Sequence, residues 1–158
     1  MTVTLTADEM LAAAFAGVQR QVNALAKKSQ HTGRTAPPLE VWGNHIEAAG
    51  SELAVSKATN RHWHLSLSGY SAPDVGTLHV RQTTKPDGGL IVRGVDPDEH
   101  YFVLVTGMMP IYEVVGYIMA AEVKVKEYYK TGYNGAKDYW LCPQSALTPI
   151  KGAADAKV

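Results

Sequence analysis

Glu52, Asp74, His79 and Arg81 are the residues of this chain whose types and order suggest chemistry at a phosphodiester. Metal-dependent hydrolysis of that bond needs carboxylates converging on one or two hard cations, which activate a water and neutralise charge on the scissile phosphate. A cationic side chain beside the attacking water or the phosphate completes such a site. Glu52 lies in "GSELAVSKA", which has helical character, and Asp74 follows a proline at the head of "PDVGTLHVR". The period of two in a strand puts His79 and Arg81 on one face with Thr77 and Thr83, and leaves Leu78 and Val80 for a core. Each residue has an ordinary alternative. Glu52 could pair with Lys57 or a nearby arginine, Asp74 could be a turn residue, and Arg81 could be a solvated strand edge. The set in this order carries more weight than any one member.

"PDVGTLHVR" resembles the Pro-Asp … Asp/Glu-x-Lys signature of the restriction-endonuclease-like nucleases, in which a helix glutamate precedes a sheet bearing the metal carboxylates and a lysine. Pro73-Asp74 matches the first half, and Glu52 matches the helix glutamate in type and order. More closely, Trp42 to Leu147, about two-thirds of the chain, is similar to small phage and prophage proteins of nuclease-like type. The shared features are a Gly-x-Glu-Leu-Ala helix, an Asp-Val-Gly strand start, a Val-Arg strand end, Phe-Val-Leu-Val and a closing Pro-Gln-Ser. The resemblance implies an α+β, restriction-endonuclease-like three-layer domain with a central mixed sheet and N-terminal helices. It implies Mg²⁺ or Mn²⁺ held by Glu52, Asp74 and His79, and hydrolysis of DNA with those three and Arg81 as the catalytic set.

Two departures alter the chemistry. His79 stands where a second carboxylate is expected, and a neutral imidazole suits Mg²⁺ less well than an oxygen donor. Arg81 stands where the lysine is expected; it binds phosphate in two-pronged fashion but, with a pKa above ~12, shuttles protons poorly. The competing reading is therefore a non-catalytic accessory protein that binds nucleic acid or protein on a degenerate nuclease scaffold.

A second group of residues suits a nucleic-acid surface. In "VKVKEYYKTGYNGAKDYW", Lys124, Lys126 and Lys130 are interleaved with Tyr129 and Tyr133, a mixture that provides phosphate contacts and stacking. Lys57 and Arg61 follow Glu52, and with Arg81 they extend the candidate surface. The alternative is an amphipathic surface segment before the last strand. "RHWHL" places His62 and His64 on one strand face, but two histidines are too few for zinc. "KPDGG" is a hairpin turn rather than a phosphate loop.

The elements that must position these residues follow from periodicity. Thr6 or Thr4 caps a helix from about Ala7 to Lys28, with Asp8 and Glu9 in its first turn and Met10, Ala14, Val18, Val22 and Leu25 at helical spacing. Paired prolines put a loop over "HTGRTAPPLE". A second helix runs from about Val41 to Thr59 with Trp42, Ile46, Ala49 and Leu53 as its stripe. The strands expected next are "HWHLSLS", "VGTLHVRQT", "LIVRG", "YFVLVTG" and "YEVVGYIMA", forming a mixed sheet of four or five strands. "YFVLV" and "VVGYI" are apolar at both parities and read as its centre.

At 158 residues this is one domain, with residues 1–40 as helix and loop, 41–150 as core and 151–158 as a frayed tail. Fifteen basic and fifteen acidic residues balance, so any nucleic-acid surface must be a local patch. The single cysteine, Cys142, excludes an internal disulfide and reads as a core filler. No stretch has transmembrane length and no signal-peptide order opens the chain, so a cytoplasmic protein (of the host cell, if viral) is expected, with no membrane partner and a homodimer open.

Overall fold

In the computed structural model, residues 1–27, 38–65, 67, 72–132 and 137–151 are described. Strand β1 (Thr2–Thr4) comes first and was not expected; three residues carry no periodicity, and β1 owes its form to pairing with a later strand. Helix α1 spans Ala7–Ala26. Thr6 is its cap: the Glu9 N–H donates to Thr6 Oγ1, and the Glu9 carboxylate accepts the Thr6 N–H at 2.7 Å, a reciprocal capping box. Helix α2 spans Pro38–Thr59 and begins three residues before the expected Val41. A proline is tolerated in a first turn because the N–H it lacks would have no partner there.

The strands that follow are β2 (Leu78–Thr83), β3 (Leu90–Arg93), β4 (Tyr101–Met108), β5 (Ile111–Met119), β6 (Tyr129–Lys130) and β7 (Tyr139–Cys142), with a short helix α3 (Ala120–Val123) after β5. Four form a mixed sheet in the order β1-β5-β4-β2. β4 and β5 are its centre, β4 runs parallel to β2, and the other pairs are antiparallel. β3, β7 and β6 form a second, three-stranded sheet. "HWHLSLS" is not a strand where it is described: Trp63 makes one bridge to Val75, and Leu65 has a positive φ of 50°.

Both faces of the four-stranded sheet are covered, which explains the apolar runs at both parities. On one face Val103, Val105, Leu78, Val80, Tyr112 and Val114 pack with Ala54, Val55 and Ala58 of α2. On the other, Phe102, Leu104 and Ile118 pack with Leu90 and Val92 of β3 and Cys142 of β7. A bulge between Leu104 and Val105 changes which residues of β5 face which layer. The result is a mixed α+β fold in which helices precede a central mixed sheet.

α1 lies against α2 through small residues, Ala13, Ala16 and Ala49. Gly17 permits the approach: a Cβ there would meet the Ile46 backbone at 2.5 Å. The expected stripe of α1 is thus displaced. Ala13, Ala16, Gly17 and Gln21 are buried, whereas Val18, Val22 and Leu25 point outward. Tyr112 of β5, fully buried, donates to Glu47 Oε2 at 2.8 Å and so anchors α2 to the sheet.

Candidate functional site

Glu52 is carried by α2 and is buried, in a position that a lone carboxylate could not hold cheaply. Its charge is met by Arg20 of α1, whose Nη1 donates to Oε1 at 2.8 Å and whose Nη2 donates to Oε2 at 2.6 Å. Trp63 Nε1 adds a third donor at 2.9 Å on Oε2. This is a two-pronged guanidinium–carboxylate pair, the strongest geometry such a pair has. Both of its side chains are largely removed from water, at 12% exposure for Arg20 and 6% for Glu52. Burial pushes the Glu52 carboxyl above the ordinary range against the pull of Arg20, and the Asp74 charge adds to the push.

Asp74 sits before β2, in a tight turn where its own N–H donates to the Leu78 carbonyl at 2.8 Å. β2 is an edge strand, and Asp74 Oδ2 accepts the Val80 N–H at 2.8 Å, occupying a donor on that edge. Oδ1 has no hydrogen-bond partner among the described residues. Burial raises the Asp74 carboxyl, opposed by the Val80 N–H and by the charges of Arg81, Arg20 and His64. Glu52 and Asp74 therefore feel one another electrostatically, at the open edge of the sheet where α2 meets the start of β2.

His79 and Arg81 share a face, as the period of two requires, but it is the face turned away from α2. Leu78 and Val80 pack on the helix side. His79 stacks on Phe102 of the other core, ring centroids 5.0 Å apart, and on His100 at 4.8 Å, sharing a 2.8 Å hydrogen bond between its Nε2 and His100 Nδ1. Burial lowers its pKa to about 4, and the charges of His100 and Arg81 push the same way. It is neutral at pH 7. Arg81 donates to Asp96 Oδ1 at 3.0 Å and lies over the Phe102 ring, 4.8 Å from its centroid, with Nε buried and without a hydrogen-bond partner among the described residues.

A divalent cation asks for several oxygens around one point. Of the three expected ligands, Glu52 has both oxygens engaged by Arg20, His79 faces the opposite layer, and Asp74 is left with one oxygen that has no hydrogen bond from the described residues. Among the described residues no group of three His, Cys, Asp or Glu side chains is placed to hold a metal ion. As arranged here, the donor set does not fit Mg²⁺ or Mn²⁺.

The expected nucleic-acid residues divide. Lys57 donates to Glu9 at 2.7 Å and to the Thr4 carbonyl, tying α2 to α1 and β1. Arg61 donates to Thr77 Oγ1 at 3.1 Å. Lys124 is paired with Asp98 at 2.6 Å and with the Asp96 carbonyl. Lys126 and Lys130 are exposed. Tyr129 donates its hydroxyl to Asp138 and meets Trp140 edge-on at 5.6 Å. Tyr133 lies outside the described residues.

Of the participants that escaped the reading of the sequence, two carry charge, Arg20 and Asp96. Arg20 had a signal: it lies three residues after Gly17 and four after Ala16, on the small-residue face of α1, where a charge demands a partner. Asp96 had none beyond a turn motif. The small sheet offers a further surface. Register places Ile91, Arg93, Lys130, Tyr139 and Leu141 together on its outward side, two cations and no carboxylate among five positions. Among the described residues, no helix is long and apolar enough to cross a membrane. No protein-family profile, curated protein or solved structure matches this chain.

Proposed function

We propose that this domain is a nuclease-like scaffold that binds nucleic acid, DNA being the leading candidate, without hydrolysing it. The observation that carries the reading is the two-pronged hold of Arg20 on Glu52. A carboxylate so neutralised is a structural group, and admitting a cation would pull it off a guanidinium that meets it in two places where there is little water. Binding is supported by the outward side of the β3-β7-β6 sheet, where Arg93 and Lys130 flank Tyr139. Lysine and arginine provide phosphate contacts and a ring provides stacking, neither of which needs a metal. The order of helices followed by a mixed sheet supports the restriction-endonuclease-like likeness only at that coarse level.

Metal-dependent hydrolysis is the second reading. It is favoured by the charge of Asp74 acting on Glu52 and by the Asp74 oxygen that has no hydrogen bond from the described residues. One experiment separates the two. Purified protein is incubated with plasmid, single-stranded DNA and RNA in Mg²⁺ and in Mn²⁺, beside Glu52→Ala/Asp74→Ala, and binding is followed by fluorescence anisotropy with and without a chelator. The expected outcome is binding that survives the chelator, with no cutting in either metal. Cutting that the double variant abolishes establishes the hydrolytic reading instead, and absence of binding to all three polymers removes both.

A further inference from the structure

Helix α1 is built inside out. Its buried side is mostly small, formed by Ala13, Ala16 and Gly17 with Gln21 beside them; Met10 in the first turn packs on the core, but the other large apolar side chains face away from the domain. Leu11 is 71% exposed, Phe15 61%, Val18 41%, Val22 44% and Leu25 60%. These five follow one another at spacings of four, three, four and three, the repeat of a coiled-coil seam. A helix that faces only water carries charges on its outer side. From Met10 to Ala26 the sole charged residue is Arg20, and its guanidinium is turned inward onto Glu52. The seam is flanked by Ala12, Ala14, Gln19 and Ala26, which bring no repulsion and allow close approach.

We infer that this stripe is covered by the same stripe of a second copy of the chain, α1 against α1 about a two-fold axis beside Val18. The pattern is self-complementary. Leu11 and Leu25 lie seven residues either side of Val18, and Phe15 and Val22 lie three before and four after it. Antiparallel pairing brings each N-terminal half onto the partner's C-terminal half, as an isologous contact requires. It also brings the acidic end of one helix, Asp8 and Glu9, toward the basic Lys27 end of the other. The five side chains offer about 500 Å² per copy, about 1,000 Å² for the pair, which reaches the lower bound for a specific interface. The chain's own segment 28–37, "KSQHTGRTAP", has no large apolar side chain with which to cover the stripe.

The test is the mass of the full chain in solution, by light scattering and sedimentation up to on the order of 100 μM, a range that detects modest interfaces. Wild type is expected at twice the chain mass. Phe15→Glu puts a carboxylate into the seam from each copy and should raise the dimer dissociation constant at least ~100-fold. Its far-UV circular dichroism should match wild type, because Phe15 points outward. Val18→Cys should cross-link to a covalent dimer on mild oxidation, a readout independent of whether Phe15→Glu folds; the native Cys142 is buried and gives no such product. A single-chain mass for wild type at every concentration overturns the inference. So does a dimer that persists in Phe15→Glu while Val18→Cys fails to cross-link.

Discussion

His79 occupies the position at which the nuclease-like resemblance calls for a carboxylate, yet its ring is stacked on His100 and Phe102 and faces away from Glu52. Its environment makes a consequence for stability measurable. The folded state holds the imidazole neutral down to about pH 4, whereas an unfolded chain protonates it near 6.5. Between those values the unfolded state binds more protons, so stability rises with pH across the window and is lost as pH falls through it. Glu52 and Asp74 work in the other direction, because raised carboxyl pKa values make the folded state less stable as they ionise. The comparison that isolates His79 is therefore between wild type and His79→Phe, which keeps a ring against Phe102. From pH 6.5 to pH 4.5 wild type should lose on the order of 2 kcal/mol more than the variant in urea unfolding, since each pKa unit corresponds to about 1.4 kcal/mol. Parallel pH profiles would mean that the ring titrates normally in the folded protein.

At the scale of elements, two glycines separate packing from intrinsic helix preference. Gly17→Ala would drive a Cβ to 2.5 Å from the Ile46 backbone, so α1 and α2 must move apart. The expected cost is about 1–3 kcal/mol in urea unfolding, enough to exceed the ~1 kcal/mol that alanine gains over glycine within a helix. Gly43→Ala, on α2 with nothing within 4 Å of the new methyl group, should stabilise by about 0.5–1 kcal/mol. If both changes stabilise, the close helix contact is not the determinant. The same contact shows where sequence reading reached and where it stopped. A threonine cap before α1 with Glu9 in its first turn, the end of α2 at Thr59 and the central pair β4 and β5 were legible, because local hydrogen bonding and apolar runs specify them; which threonine caps α1 and the start of α2 at Pro38 were not. Periodicity identified α1 as a helix but not its buried side, since small residues packed on α2 while Leu11, Phe15 and Val18 stayed out. β1 was illegible because pairing with β5 makes it a strand. In the site, the order of Glu52 and Asp74 was readable, and so was the shared face of His79 and Arg81. Arg20 was not found as the partner of Glu52, being 32 residues away. Nor was the layer above His79, which is assembled from residues that come later in the chain.

For the molecule as a whole, zero formal net charge sets how nucleic acid can be held. Four of its fifteen lysines and arginines are already paired within the described residues: Arg20 with Glu52, Lys57 with Glu9, Arg81 with Asp96 and Lys124 with Asp98. The outward side of the β3-β7-β6 sheet keeps Arg93 and Lys130 exposed around Tyr139, with Lys126 on the segment leading into β6. The proposed binding should accordingly rest on few phosphate contacts, and log K should fall with log salt at a slope of about −0.9 for each. Arg93→Ala/Lys130→Ala is expected to flatten that slope by about two units, whereas Lys124→Ala should leave it almost unchanged because that ammonium is held by Asp98. Thermal stability of the double variant should stay close to wild type, since both side chains are exposed and neither makes an ion pair with a described residue. Tyr139→Ala should weaken single strands more than duplex, because only unpaired bases present a face for stacking. Affinity lost equally on scrambled sequences would show that the surface tracks the backbone, the outcome expected of a sheet face that offers no helix to a groove. A salt slope that Arg93→Ala/Lys130→Ala leaves intact would move the binding surface away from the small sheet.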